Sequence, residues 1–564
     1  MTSKSWWIGA VGAIAFMGVP AVAADSVVDN TITIGVDEGA AATDAMFEFL
    51  VAEIASQRGD NEAALGIYQR MARELRDPHI ARRAVELAIR SRAYGAALES
   101  SALLLELEPQ STLAREIIAA ILGNEGDINK ARDAMSALLD RNPNRGAVLM
   151  LLPQLFVKFN NRPAILDVTR QIAGRYPQMP EAHYAIGMAA LIAADLQLAG
   201  TEADAALKIR PAWQEGAILK AQVLRKSSPN SVIAYYREFV AANPDSLEVR
   251  MQLGRELAAD RKLAEARDQF REAEKLAAKD SQAPYAIGLL SLQLEDYAEA
   301  QTAFSRSLAL GPRDPAAAYL GLGQAAEGLK KFDEAISWYQ KVESGDWVRA
   351  QLKAATLIAR QQGLAAGREY LHRIEPRSDD DRVQMIQVEA QLLRDSKAWQ
   401  ETYDMLTQAV AKFPDSYELL YDRAMAAERI GKIDVLETDL RRVIKMKPDY
   451  AHAYNALGYT LAEKTQRLQE AKDLIEKAFK LSPDDPFIQD SLGWVHYRLG
   501  EADQALKHLQ AAYTSRNDPE IAAHLGEVLW KVGQHDEARK IWRAALTENP
   551  NHESLITVMQ KYRN

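Results

Sequence analysis

The chain has 564 residues, 48% apolar and 26% charged, with 30 glycines, 21 prolines and no cysteine. This is the composition of a folded protein. The missing cysteine excludes disulfide scaffolds, thiolate nucleophiles, iron–sulfur clusters, cysteine zinc sites and a lipid anchor on cysteine. A balance of 68 basic against 78 acidic residues leaves a formal net charge of −10, which opposes electrostatic capture of nucleic acid or anionic lipid.

Residues 1–23 read as a secretory signal peptide. Lys4 is the only charge before Asp25, Trp6 to Val19 is apolar, Pro20 breaks the run, and Ala21-Val22-Ala23 offers a small-x-small cleavage site. The run is shorter than the roughly 20 apolar residues a membrane span needs, so the expected destination is the periplasm. Residues 24–43 carry four acids and no base and are expected to be a flexible acidic leader.

From residue 44 to 550 the sequence repeats. Pro109, Pro143, Pro177 and Pro211 are each 34 residues apart, and the phase returns at Pro244, Pro312, Pro414, Pro448, Pro483 and Pro550. An alanine sits 12 residues before most of these, as at Ala97, Ala131, Ala199, Ala300, Ala471 and Ala538. Further upstream comes an apolar–Gly pair, as in Leu253-Gly254, Ile287-Gly288, Leu322-Gly323, Leu457-Gly458, Leu492-Gly493 and Leu525-Gly526. Each unit contains two amphipathic stretches separated by a short turn, often with Gly. The Gly of the first helix and the Ala of the second mark a close crossing, because a larger side chain would push the axes apart. Aromatics four residues after the alanine position (Tyr68, Tyr236, Phe270, Phe304, Tyr339, Trp542) continue the same face, and proline ends the second helix. Neither helix can bury its face alone, so stacking of neighbours must complete the core. The stretch 346–376 is short by about three residues and is expected to mark a kink or subdomain boundary. Residues 551–564 are expected to form a C-terminal capping helix.

This pattern resembles the tetratricopeptide repeat (TPR), a 34-residue helix–turn–helix. The resemblance implies an all-α, right-handed superhelical solenoid of about 15 repeats, with a contour on the order of 150 Å. It also implies a groove lined by the first helix of each unit. Mapped onto the last units, the groove positions are His452, Asn455 and Tyr459, then Asp490, Trp494, Tyr497 and Arg498, then Glu527, Trp530 and Lys531. Aromatics and Arg suit a protein interface, although packing between neighbouring helices accounts equally for Trp494 and Trp530. A polar strip, Gln384, Gln387, Gln391 and Arg394, falls on the same face or on an ordinary solvated one. Of the Lys and Asn pattern that grips a partner's C-terminal carboxylate in some TPR domains, only Asn455 matches in type.

Motifs for chemistry are missing. There is no G-x-x-x-x-G-K-[ST], G-x-S-x-G or H-E-x-x-H. His496, His508, His524, His535 and His552 form a loose C-terminal group without the i, i+4 spacing of a helical zinc site, and Asp379-Asp380-Asp381 reads as a helix start. No enzyme, cofactor or metal is expected. The wording of the last units (LGYTLAEKT, SLGWVHYRLG, AAHLGEVLWKVG), the signal peptide and the size resemble bacterial cell-envelope TPR proteins that act as adaptors of carboxyl-terminal processing proteases. That resemblance implies protein partners: a processing protease, peptidoglycan hydrolases or both. The alternatives are a scaffold subunit of an envelope or polysaccharide-export assembly, and a binder of glycan or peptidoglycan.

Overall fold

The computed structural model describes residues 40–111, 113–115, 117–118, 121, 128–141, 144–156, 161–312 and 314–562. The predicted signal peptide, residues 24–39 of the expected leader 24–43 and Pro143 lie outside them, and residues 40–43, expected as leader, instead begin the first helix. Every regular element among the described residues is helical, and the helices follow one another in pairs. They fall into two compact units, one ending at Pro312 and one starting at Arg313.

Local sequence explains how a pair forms. In the unit around residue 500, the Asp485 side chain accepts hydrogen bonds from the backbone N–H groups of Phe487 and Ile488, and Pro486 opens the helix Pro486–Arg498. Asp satisfies backbone donors that the first turn leaves unpaired, and Pro at that position gives up only an N–H that had no partner. Gly500, at φ +83°, then reverses the chain into Ala502–Ser515. Gly59, Gly431 and Gly533 hold the same turn position in their units. Elsewhere Arg92, Ala194, Arg261, Glu295, Lys330 and Lys397 hold it at φ between 55° and 63°, so the turn persists where its glycine is missing.

The two helices of a unit cross where the repeat predicts. A Cβ placed on Gly254 or Gly288 would lie 2.8 Å from the ring of Phe270 or Phe304, and one on Gly458 or Gly493 would lie 2.6 Å from Ile475 or Leu509. Gly323 against Tyr339 and Gly526 against Trp542 are closer still. The partner alanines Ala300, Ala335, Ala471, Ala505 and Ala538 are fully buried, as are Tyr68, Tyr236, Phe304 and Tyr339. One unit solves the crossing differently. In Leu196–Ile209 the aromatic position is Ala203, and Leu219 from the next first helix fills the space over Gly187 instead.

The short stretch near 346–376 lies inside the second unit as Trp347–Gln362 and Leu364–Arg373. A single residue, Gly363 at φ +97°, joins these helices where other units use three, which accounts for most of the missing length. The last helix, Glu553–Lys561, buries Leu555 and Val558 and exposes Glu553, Thr557, Gln560 and Lys561. The first, Ala40–Gln57, exposes Met46, Phe47, Leu50, Val51 and Ile54.

Two glycines test the crossing. At Gly493 an added methyl meets Leu509 and the backbone carbonyl of Ala505, the latter at 3.0 Å, whereas at Gly66, exposed within a helix, it meets nothing within 4 Å. Gly493→Ala is expected to destabilise the second unit by about 1–3 kcal/mol. Gly66→Ala is expected to stabilise the first by about 0.5–1 kcal/mol, because alanine loses less backbone freedom in a helix. Thermal or denaturant unfolding of both variants checks the two signs.

Candidate functional site

The first helices of the last three units, Ala451–Lys464, Pro486–Arg498 and Pro519–Lys531, pack against one another as a layer. At its centre lies Trp494, 7% exposed. Its indole N–H donates to Glu463 Oε2 at 3.0 Å, and its ring stacks on the His524 imidazole with centroids 4.2 Å apart. His524 Nδ1 lies 2.9 Å from Asp490 Oδ2, and its Nε2 lies 3.4 Å from the Tyr459 hydroxyl, a contact that spans two units. Asp490 is 5% exposed.

The electrostatics follow from this packing. Burial raises the Tyr459 phenol, and the carboxylates of Glu520, Asp490, Glu463 and Glu428 add to the rise. Burial likewise raises Glu428. For His524, burial works against the imidazolium, but the Asp490 carboxylate beside it overrides that penalty and the net shift is upward. Burial pushes the Tyr497 phenol up to about 12.

The structure divides the expected groove residues into three groups. His452, Lys531, Gln384 and Gln391 are exposed. Asn455, Tyr459, Tyr497, Arg498, Glu527, Trp530, Gln387 and Arg394 are half-buried. Asp490 and Trp494 are buried, a departure from groove exposure: the neighbouring unit presents His524 to both, so they hold first helices together. The C-terminal helix and its end claim two more. Glu527 accepts from Lys561 at 2.8 Å and from the Tyr562 hydroxyl at 3.0 Å. Trp530 lies between His535, 4.3 Å away and stacked, and Tyr562 at 5.6 Å.

The polar strip lies on an earlier first helix, Asp379–Asp395, and reaches the next one, Tyr417–Arg429. Arg394 donates to Asp422 at 3.2 Å and to Gln391 at 2.7 Å, and Gln387 reaches Asp422 at 3.4 Å. Gln384 and the outer part of Gln391 remain open to solvent. Asn455 Oδ1 is buried without a hydrogen-bond partner in the protein. The sequence places His524 only in a loose C-terminal histidine group, with no role assigned to it. Its signal was available in the repeat itself: Asp490 and His524 are 34 residues apart and therefore occupy equivalent, adjacent positions in successive first helices. Among the described residues no three His, Asp or Glu side chains are grouped to hold a metal ion.

Family models for the tetratricopeptide repeat match residues 285–350, 491–553 and 451–485. These are tetratricopeptide repeats. A TPR repeat-containing protein of Pseudomonas aeruginosa is 36% identical over 197 residues, which make up 35% of this chain and 33% of that protein. The chain thus matches about a third of the length of this curated relative. Among solved structures, a thermophilic TPR protein of Thermus thermophilus is 22% identical with a TM-score of 0.29, covering 31% of this chain and 96% of its own. The Cut9–Hcn1 hetero-tetramer of the APC/C is 14% identical with a TM-score of 0.30, covering 87% of this chain and 97% of its own. Stacked helical repeats of this kind present extended surfaces suited to binding other proteins.

Packing and surface roles separate on mutation. Trp494→Ala removes a buried ring and is expected to cost about 3–5 kcal/mol. Gln391→Ala, at an exposed position, is expected to stay within about 0.5 kcal/mol of wild type. Equal unfolding midpoints for the two variants would contradict the placement of Trp494.

Proposed function

We propose that this protein is an exported TPR adaptor. It binds a carboxyl-terminal processing protease, the cell-wall hydrolases that such a protease cuts, or both, along the face of its first helices. The observation that carries this reading is the solvent-open part of that face. Gln384, Gln391 and Lys531 stand there exposed, with Tyr497 and Arg498 half-buried on the same layer, on helices held by buried contacts beneath them. Glutamine amides, an aromatic edge and cations suit an extended polypeptide, whose backbone offers donors and acceptors and whose side chains need shallow apolar contact. The export reading is supported by the sequence of residues 1–23, and among the described residues no helix is long and apolar enough to cross a membrane. The wording of the last three repeats supports the choice of a protease as partner.

The test is affinity capture from envelope extract with the full chain and with a Gln384→Ala, Gln391→Ala, Tyr497→Ala triple variant. Recovery of a processing protease by the wild type, and a several-fold lower recovery by the variant, is the expected result. Recovery of synthase or export subunits instead would favour the assembly scaffold. Retention on purified peptidoglycan with no captured protein would overturn both.

A further inference from the structure

His524 is a titratable group buried at a junction of three repeats, and nothing in the binding reading uses it. Its ring is held at three points. Trp494 covers one face at 4.2 Å, Asp490 holds Nδ1, and the Tyr459 hydroxyl meets Nε2. The charged and titratable groups that act on it are Asp490 from Pro486–Arg498, Tyr459 and Glu463 from Ala451–Lys464, and Glu520 from its own helix. Arg498 stands behind Glu463, 3.6 Å from that carboxylate. The other helices packed on Pro519–Lys531 direct their charges elsewhere. His508 of Ala502–Ser515 stacks on His496, Arg539 and His535 of His535–Glu548 lie on Trp530, and Lys561 of Glu553–Lys561 pairs with Glu527.

We propose that His524 is a proton-operated pin of the first-helix layer. As an imidazolium it ties three successive repeats together. As a neutral ring it leaves Asp490, Glu463 and Glu520 facing one another without that cation, and the layer loosens. The proton that leaves is the one on Nε2. In the charged state Nε2–H donates to the Tyr459 oxygen, and in the neutral state the Tyr459 O–H donates to Nε2. Nδ1–H donates to Asp490 in both. The hydrogen-bond chain therefore survives deprotonation, and what changes is the charge balance inside a half-buried acidic setting, where Coulomb interactions are screened less than at the surface.

The direction follows from linkage. A histidine whose folded pKa lies above its unfolded value of roughly 6.5 contributes stability that is fully present below that value. The contribution is lost as pH rises through the folded pKa, which for His524 is shifted upward. Unperturbed carboxylates titrate at about pH 4, so the pin acts between mildly acidic and mildly basic pH. Because it spans three repeats, its loss should loosen the layer that carries the open binding face without unfolding any one helix pair.

The experiment compares the full chain with His524→Gln by thermal unfolding at pH 6 and pH 8.5. The drop in melting temperature of the second unit between the two pH values is expected to be about 2–4 °C larger in wild type. The remaining histidines are common to both proteins and cancel in the comparison. An equal drop in both proteins would overturn the proposal. A second measurement stands even if His524→Gln folds poorly. In wild-type protein with ¹³C-labelled imidazoles, the His524 resonance, assigned through its shift in Asp490→Asn, is expected to titrate above 6.5 and to move down in that variant. Titration of that resonance at or below roughly 6.5 in the wild type would also overturn the proposal.

Discussion

Six of the described repeats turn on one close approach. A first-helix glycine lets a large second-helix side chain lie against bare backbone, as Phe304 does at Gly288 and Trp542 at Gly526. This contact fixes how near the two axes come and how they are rotated. Because it recurs at one phase of a 34-residue period, it sets the same kind of crossing in each repeat that carries it. The stabilising contacts are between neighbours, so cohesion is distributed along the chain. That is how a protein with no cysteine, predicted for a compartment where disulfides are usual, holds together without them.

Charge plays a smaller and more local part. The lattice of Arg441, Glu437, Arg467 and Glu470 links two successive second helices, but its members are largely solvated. Pairs of this kind contribute about 0–1 kcal/mol each and weaken with salt. Arg423 and Asp439 differ. Two bonds of 2.7 Å join them, and the carboxylate is almost fully buried, so removing either partner would strand a charge in the core. Asp490 and His524 are enclosed in the same way, with the added property that the cation is an imidazole, whose charge depends on pH. The outer surface is thus electrostatically tolerant, while the first-helix layer is sensitive.

Much of this was legible in the sequence because the governing contacts are periodic. Proline phase, the glycine of the first helix and the aromatic four residues after the alanine placed the helix pairs and their crossing. The turns were less legible, since Lys330 and Ala194 adopt left-handed backbone where glycine was the readable signal. The face of the first helices was the least legible part. Offsets within one repeat place Trp494 and Asp490 on the groove side, but exposure is decided by what the next repeat supplies. At that position it supplies His524, which closes over both. Glu527 and Trp530 are likewise partly covered by a helix that lies outside the repeat proper. A groove read from one unit's register therefore needs the register of its neighbour as well, and pairing residues 34 apart recovers most of it.

What remains open to solvent among the first helices is a set of polar side chains with half-buried aromatics beside them, the proposed partner-binding surface. The most direct measurement is photo-crosslinking in cells with a benzophenone residue placed singly at Gln384 or Gln391 on first helices, or at exposed Lys477 on a second helix. The account predicts discrete protein adducts from positions 384 and 391 and none above background from 477. Adducts formed at 477 with none at 384 or 391 would contradict it.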